Sequence, residues 1–582
     1  MSAEMAGHPK PAKRAVRRRA PIAAAPTSAS NAVSSASDLA RAGQHAQVIE
    51  VASQALSRPA VTHDDALALL ELRAESLAAR GEVDGAAADA ESMRVVGERS
   101  GRPDLLARAL IALARVQMLS SNLDAADKTA ELALRTARKS RKKLLVALAL
   151  SQLATGQVRL QKGDAALRNA TAATRLFADI GEESHHGRAL WVVACAEDIL
   201  GHRAKSERAA DGALVLARRT GDRWGEASAF NIRWRQHVDL AKRLRGLHQA
   251  LAGYLASGHV SGQAAIYNNL ALAYRALGLY RHSNRMAHLA IEIRRRLHDF
   301  DSAANALMIV GGNDTLMGNA ASARRHYAAI EAIYSQPDVN AKGFWKLGRF
   351  WLAALIAIVE GDGAAAVPLL EEALPLTASA KETSFAILIH TDLCRAHLLH
   401  GDIDAALEAS RCATDLYRAR ESHSLGAGLS PAHVWWWRHR ALAAKGDVRQ
   451  ADKALEVAYD LLQEGIGTLS DEGLRRSYLN KIDSHRAIVG AWIAHARAKR
   501  FSARRRTAHL AGEADLRAPF ERLVDTGMRL NELHSVTALH EFLVDEVTEL
   551  SGAERVLLVL DAAKRREVAC SLVPTGEDAG AL

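Results

Sequence analysis

A short turn recurs about every forty residues along most of this chain, usually Gly followed by a small polar residue. It falls at Gly43, Gly81-Glu82, Asn122, Gly163-Asp164, Gly201-His202 and near Asp239. It continues at Gly278, Gly318-Asn319, Gly361-Asp362, Gly401-Asp402 and Gly446-Asp447. Each turn follows an apolar stretch of helical spacing and precedes an Ala-rich one. A fixed period of this length marks repeated helix hairpins, units that cannot bury their apolar face alone and must stack. Such a stack grows by neighbour contacts only. A chain of 582 residues, too long for one ordinary core, is therefore accommodated as an α-solenoid. Arrays of this kind serve as binding surfaces, so no catalytic activity is expected.

One unit shows the logic. From His185 to Leu200 the apolar residues Leu190, Val193, Ala194 and Ile199 keep roughly helical spacing. Gly201-His202 breaks the pattern, and Arg203 to Arg218 resumes it with Ala209, Ala213, Leu214, Leu216 and Ala217. Thr220-Gly221-Asp222 ends the second helix, with Gly supplying a left-handed cap. Two helices of about sixteen residues plus two turns fill the period. Hydrophobic residues make up 49% of the chain but aromatics only 5%. Ala and Leu thus carry the apolar share, as closely approaching helices require.

The segment Asn269 to Ile293 resembles the tetratricopeptide repeat at Leu270, Ala273, Tyr274, Leu277, Gly278, Tyr280 and Ala290. Leu393 to Ala413 fits similarly, with Ala396, Gly401, Ala405, Ala406, Leu407 and Ala409. Two features depart from the family: the period is near 40 instead of 34, and the proline near the repeat end is mostly absent. HEAT-like or armadillo-like packing shares the longer period. The Gly-Asp turn and the Ala-Leu pattern favour tetratricopeptide-like hairpins, most similar to the long-period variety of bacterial regulators. The array is expected over residues 39–463, about ten or eleven hairpins.

The ends differ in composition. Residues 1–38 are rich in Ala, Pro, Ser, Arg and Lys and are expected to form a disordered basic tail. Residues 464–512 are read as capping helices and a basic linker. The helix begun by Ser470-Asp471-Glu472 carries acids favourable to its dipole, and Trp492 and Ile493 lie on the next one. In residues 513–582, Pro519 to Leu550 reads as amphipathic helix. Arg555 to Leu560 and Glu567 to Val573 read as strands. Asn531-Glu532-Leu533 and Leu550 to Leu558 resemble the opening of a GAF domain. The resemblance implies a small-ligand pocket whose remaining strands would lie beyond Leu582, so the chain is expected to be a fragment of a longer protein.

The formal charge is +10, and two segments account for all of it. One is the tail, with Lys10, Lys13, Arg14, Arg17, Arg18 and Arg19 against Glu4 and Asp38. The other is 497–506, with six basic residues and no acid. The array itself is neutral overall, so the balance does not demand the basic face of a nucleic-acid binder. The longest strongly apolar run, Phe350 to Val359, is half of the roughly twenty residues that a membrane span needs. Basic residues followed by Pro21 to Pro26 mimic a signal peptide only loosely, because the prolines interrupt the apolar stretch. Cys195, Cys394, Cys412 and Cys570 lie far apart without a Cys-x-x-Cys, arguing against a zinc site and a disulfide scaffold. They are expected as small buried hydrophobes in a reducing cytoplasm.

Chemistry-bearing motifs are absent: there is no phosphate loop, no dinucleotide glycine fingerprint and no His-Glu-x-x-His. Cys394, His397 and His400 share a helix face with ligand spacing, but packed or solvated helix residues are the plainer reading. His485, in Ser484-His485-Arg486, lacks the acid that should follow a kinase phospho-acceptor histidine. No catalytic, cofactor or metal residue is expected. Trp435, Trp436 and Trp437 stand apart. Successive helix residues differ by about 100°, so three tryptophans cannot share one buried face. At least one should enter a seam or groove, as an anchor for a partner or as packing near the end of the array.

The chain is thus read as mainly α: a solenoid of tetratricopeptide-like hairpins followed by the start of a GAF-like α/β domain. Repeats followed by GAF resemble bacterial signalling proteins that end in a histidine kinase or nucleotide cyclase. The resemblance implies a protein or peptide partner on the concave face and a small ligand for a complete GAF domain. An accessory solenoid of a transcriptional regulator and a free-standing scaffold remain as alternatives.

Overall fold

The computed structural model describes residues 29–58, 61–120, 122–234, 239–336, 344–379, 383–420, 430–510, 535–553, 555–562, 565–573 and 577–582. Among these, the helices from Ala29 to Gly467 pair into eleven hairpins. The first joins α1 (Ala29–Arg41) to α2 (His45–Leu56), and the last joins α21 (Pro431–Lys445) to α22 (Val448–Gly467). Each helix packs on the ones before and after it, and the first helices of successive hairpins also touch. That is the arrangement of an α-solenoid, with the first helix of each pair facing inward.

The turns follow the glycines. Gly43, Gly81, Gly201, Gly278, Gly318, Gly361, Gly401 and Gly446 all adopt left-handed φ, where a side chain is strained. Asp239 caps α12 (Leu240–Ala256) by accepting from the Ala241 amide at 2.8 Å. Gly163 differs. The left-handed residue there is Gln161, and Gly163 opens α8 (Gly163–Ile180). Close packing explains it, since a Cβ on Gly163 would lie 2.9 Å from Leu200 Cδ2.

Small residues set the spacing between helices. Ala86, Ala130, Ala170, Ala210, Ala290 and Ala366 are all almost completely buried. Polar pairs about one repeat apart then staple neighbouring hairpins. Arg102 meets Asp64 at 2.6 Å, Lys162 meets Asp127 at 2.7 Å, and Asn269 donates to Asn231 Oδ1 at 2.7 Å. Exposed pairs contribute little energy each; their role is register.

The N-terminal boundary departs from the expected tail at 1–38. Residues 29–38 belong to α1, where Ala32 and Ala36 are fully buried. Ala32 packs with Ala52 and Leu69, the latter on α3 (His63–Arg80). The fully buried residues that α1 brings to this contact are alanines, with Val33 packed at the edge, which a search for large apolar residues misses. Residues 1–28 lie outside the described residues.

The array winds back on itself. His45 Nε2 donates to the Ser257 carbonyl at 3.0 Å, across 212 residues. Leu77 and Val83 share a core with Ala264, Ile293 and Leu297. One winding later, Ser470 Oγ donates to Asp239 Oδ2 at 2.8 Å, across 231 residues. Successive superhelical windings therefore rest on each other and enclose a lumen.

Past the array, α23 (Glu472–Asn480) and α24 (Asp483–Ala498) cover its end, with Trp492 stacked on Tyr459 at 4.1 Å. The basic segment is folded instead of forming a bare linker. It ends α24 and makes the single turn α25 (Ala503–Arg506), with the Arg505 guanidinium 3.8 Å over Phe501. Tyr459 Oη accepts from the His509 amide at 3.2 Å, fixing the next turn.

The C-terminal region has α26 (Val536–Ser551) and an antiparallel hairpin of β1 (Val556–Ala562) and β2 (Arg565–Leu572). Among the described residues the expected α/β domain is represented by these two strands only, too few for an independently stable sheet. The first half of the helix expected over Pro519 to Leu550 precedes residue 535, outside the described residues. What is described leans on the solenoid. Val544 and Phe542 are buried, α26 packs on α23, and a Cβ on Gly552 would lie 2.4 Å from the Gly473 carbonyl.

Gly278 and Gly401 share a left-handed φ but differ in surroundings. A Cβ on Gly278 would meet Lys481 Cβ at 2.7 Å, whereas one on Gly401 meets nothing within 4 Å. Both alanine variants carry the left-handed penalty of about 1–2 kcal/mol. Gly278→Ala is expected to cost about 1–3 kcal/mol more, from overpacking between windings; urea denaturation of the two variants checks this.

Candidate binding site in the lumen of the solenoid

The lumen contains a cavity of about 580 Å³ bounded by helices from α10 (Arg203–Thr220) to α24. Five arginines line it, Arg203, Arg243, Arg275, Arg395 and Arg440, against three carboxylates, Asp392, Glu464 and Asp483. Its aromatic wall includes Trp351, Trp436 and Trp437.

The α21 tryptophans divide as helical geometry demands. Trp436 and Trp437 line the cavity, with the Arg440 guanidinium 5.8 and 5.6 Å from their rings. Trp435 packs into the main core under the Arg418 guanidinium, 4.6 Å away, and does not line the cavity. Trp437 Nε1 is buried and has no hydrogen-bond partner among the described residues.

Asp392, on α19 (Thr383–His400), organises one side. It accepts from Trp351 Nε1 at 2.9 Å and from Arg395 Nη1 at 2.7 Å, so both its oxygens are engaged. Arg395 Nε remains buried without an acceptor. Arg275 closes α13 (Val260–Ala276), its guanidinium 5.8 Å over Trp351. It makes no hydrogen bond or ion pair with any described residue. Burial pulls its pKa below the usual arginine value, with Tyr280 and Asp392 opposing. Gly312, inside α15 (Phe300–Leu316), makes room for it: a Cβ there would lie 2.7 Å from Arg275 Nη1. Buried donors without acceptors are costly, about 1–3 kcal/mol each. Here two, Arg395 Nε and Trp437 Nε1, lie at one cavity beside the half-buried Arg275 guanidinium, which suits an incoming acceptor group, above all an anion.

The sequence singled out the tryptophans but not Arg275, Asp392 or Arg395. Two signals were present. Trp351 and Asp392 stand 41 residues apart, one repeat. Gly311-Gly312 interrupts a helix, where glycine costs about 1 kcal/mol and marks a close approach.

Other candidates resolve differently. Cys394 is buried beneath the Trp437 carbonyl, 3.5 Å from Sγ, and burial pushes its thiol up to about 12. Cys195, Cys412 and Cys570 are only partly buried, short of the expected full burial. Among the described residues, Cys394, His397 and His400 form no ligand cluster; the group that does is His282 with Glu546 and Glu549. His282 lies on α14 (Tyr280–Arg296) and both glutamates on α26. Burial opposes a charge on His282, but the two glutamates outweigh it and raise its pKa to about 9. His485 is a packed core residue: Nδ1 donates to the Tyr478 carbonyl at 2.8 Å, and Nε2 accepts from Ser430 Oγ at 2.9 Å.

No known protein family and no curated protein matches the chain. Solved structures similar to parts of it include a Rap protein complexed with competence and sporulation factor, at 12% identity and a TM-score of 0.36, covering 67% of this chain and 97% of that one. The apo form of the quorum sensor NprR from B. thuringiensis reaches 11% identity and a TM-score of 0.43, covering 61% and 98%. A signal-transduction ATPase with a tetratricopeptide-repeat sensor from Pyrococcus horikoshii reaches 15% and 0.38, covering 59% and 55%. The site is understood from its own geometry. No helix of the described residues is long and apolar enough to cross a membrane.

The histidines beside the lumen set an acid limit. Burial lowers His485 to about 4, partly offset by the Tyr478 carbonyl, and lowers His433 to about 3. Both stay neutral in the folded chain while the unfolded chain takes up protons below about pH 6.5. Stability should therefore fall as pH drops below 6.5, by about 2 kcal/mol from His485 at pH 5. A His485→Gln variant, less stable at neutral pH, is expected to show a flatter melting temperature between pH 7 and 5.

Proposed function

We propose that this chain is a non-catalytic protein-interaction and sensory region that captures a short protein or peptide segment bearing a carboxylate. The supporting observation is Arg275, a half-buried cation in an aromatic-walled lumen with no hydrogen-bond or ion-pair partner among the described residues. A carboxylate from a partner supplies the missing charge and acceptors, and Trp436 and Trp437 hold the adjoining apolar side chain. The cavity volume falls within the range of ligand sites. The functional setting is bacterial signal transduction, with the C-terminal helix and hairpin leading toward a GAF-like sensory module and an output such as a histidine kinase or nucleotide cyclase.

One observation favours a second reading, the free-standing scaffold. The C-terminal helix α26 rests on α23 and α14 instead of standing apart. On that reading limited proteolysis leaves α26 attached; on the sensory-module reading it is released as a separate piece.

The lumen is tested with a library of short acidic peptides, each with a free or amidated C-terminus, followed by tryptophan fluorescence and calorimetry. Binding should require a carboxylate, and Arg275→Met should weaken it by about tenfold or more, equivalent to about 1.4 kcal/mol. Trp437→Ala should weaken it independently of the carboxylate. Equal binding by Arg275→Met and the unaltered chain, or no binding by any peptide, would sink the proposal.

A further inference from the structure

Outside the lumen, three side chains from distant parts of the chain converge where α26 crosses α14. Glu546 and Glu549 are three residues apart and share one helix face. His282 enters from the first turn of α14. Its Nε2 lies 3.5 Å from Glu546 Oε1 and 3.0 Å from Glu549 Oε2. The side chains are 3–4% exposed, and the three ligand atoms all lie within 4.8 Å of one another. His282 Nε2 has no hydrogen bond of acceptable geometry. Tyr274 supports the ring from one side, at 5.1 Å between centroids.

The two edges that meet at His282 match those of a coordination polyhedron. Zinc sits about 2.0–2.2 Å from imidazole nitrogen and carboxylate oxygen, so the edge between two tetrahedral ligands is about 3.3 Å. The 3.0 and 3.5 Å edges bracket that length. The charges point the same way. Buried carboxylates need pairing or a metal. The neighbouring Asp545 is already engaged by Arg285, at 2.5 Å, and by Arg281, at 3.6 Å. Both glutamates approach the same imidazole, which supplies at most one positive charge, and a divalent ion in its place beside them would supply two. A cavity of about 370 Å³ lined by His282, Asp545 and Thr548 adjoins the cluster, giving a route for the ion and a water as fourth ligand.

We propose that His282, Glu546 and Glu549 form a binding site for one divalent first-row transition-metal ion, with zinc the reference, which clamps the C-terminal helix to the seventh hairpin. Histidine with two carboxylates is a borderline donor set, suited to zinc and its neighbours more than to calcium or magnesium.

The test uses the untagged full chain, stripped with a chelator and dialysed. Zinc is titrated against a chromophoric chelator, and cobalt is followed by the visible absorption of its tetrahedral complexes. The expected result is one ion per chain, with affinity lowered at least about tenfold in Glu549→Gln and in His282→Ala. A His397→Ala variant, which removes one histidine of the Cys394, His397 and His400 face, should bind normally. Should His282→Ala misfold, the near-isosteric Glu546→Gln takes its place. Zinc should also slow hydrogen exchange in α26 in the unaltered chain but not in the ligand variants. Absence of stoichiometric binding, or binding that survives Glu546→Gln and Glu549→Gln unchanged, overturns the site and leaves the cluster as a proton-bridged ion pair.

Discussion

The contact between successive windings is the constraint on which the rest of this structure depends. A stack of hairpins alone would leave an open spiral, its inner helices facing solvent. Here His45 reaches the Ser257 carbonyl, and Leu77 shares a core with Leu297, so the second winding seats on the first. The third seats on the second through Ser470 and Asp239, and through the close approach at Gly278. The inner surface thereby becomes the wall of a lumen, and groups that would otherwise be fully hydrated lose part of their water.

That loss of water gives the lumen its character. An arginine on an open spiral is a solvated charge of little consequence. Arg275, held over Trp351 in a cavity with arginines in excess, is costly as it stands. Low local dielectric strengthens whatever pairs with it, just as it penalises leaving it alone. Asp392 shows the paired case in the same cavity, its oxygens taken by Trp351 and Arg395.

Local features were the legible ones. Glycines that need a left-handed backbone announced nearly every turn, because that requirement belongs to one residue. The exception was Gly163, whose reason is a neighbour, Leu200, and not its own backbone. α1 was hidden because the residues it buries fully are alanines. The tryptophan run was readable from the helical period, which dictates that its rings diverge, although which ring meets the lumen depends on the winding. Arg275 and its accommodating Gly312 lie 37 positions apart, and nothing local tells a reader that they touch. The His282 cluster was further from view, since its two halves are more than 260 residues apart in sequence. The GAF-like ending was read from a short helix-and-strand pattern; the described residues supply only a two-stranded hairpin beside a helix packed on the array.

The winding contacts also change how such a chain should come apart. A solenoid whose units touch only their neighbours behaves as a one-dimensional lattice, fraying from its ends with roughly additive unit stabilities. Contacts spanning more than two hundred residues couple hairpins that such a lattice treats as independent. The first hairpins then act as a seat for the middle of the array, and their loss is felt there as well as at the end. Folding accordingly carries the slow loop-closure component of a high-contact-order protein, although nearly every element in it is a local helix.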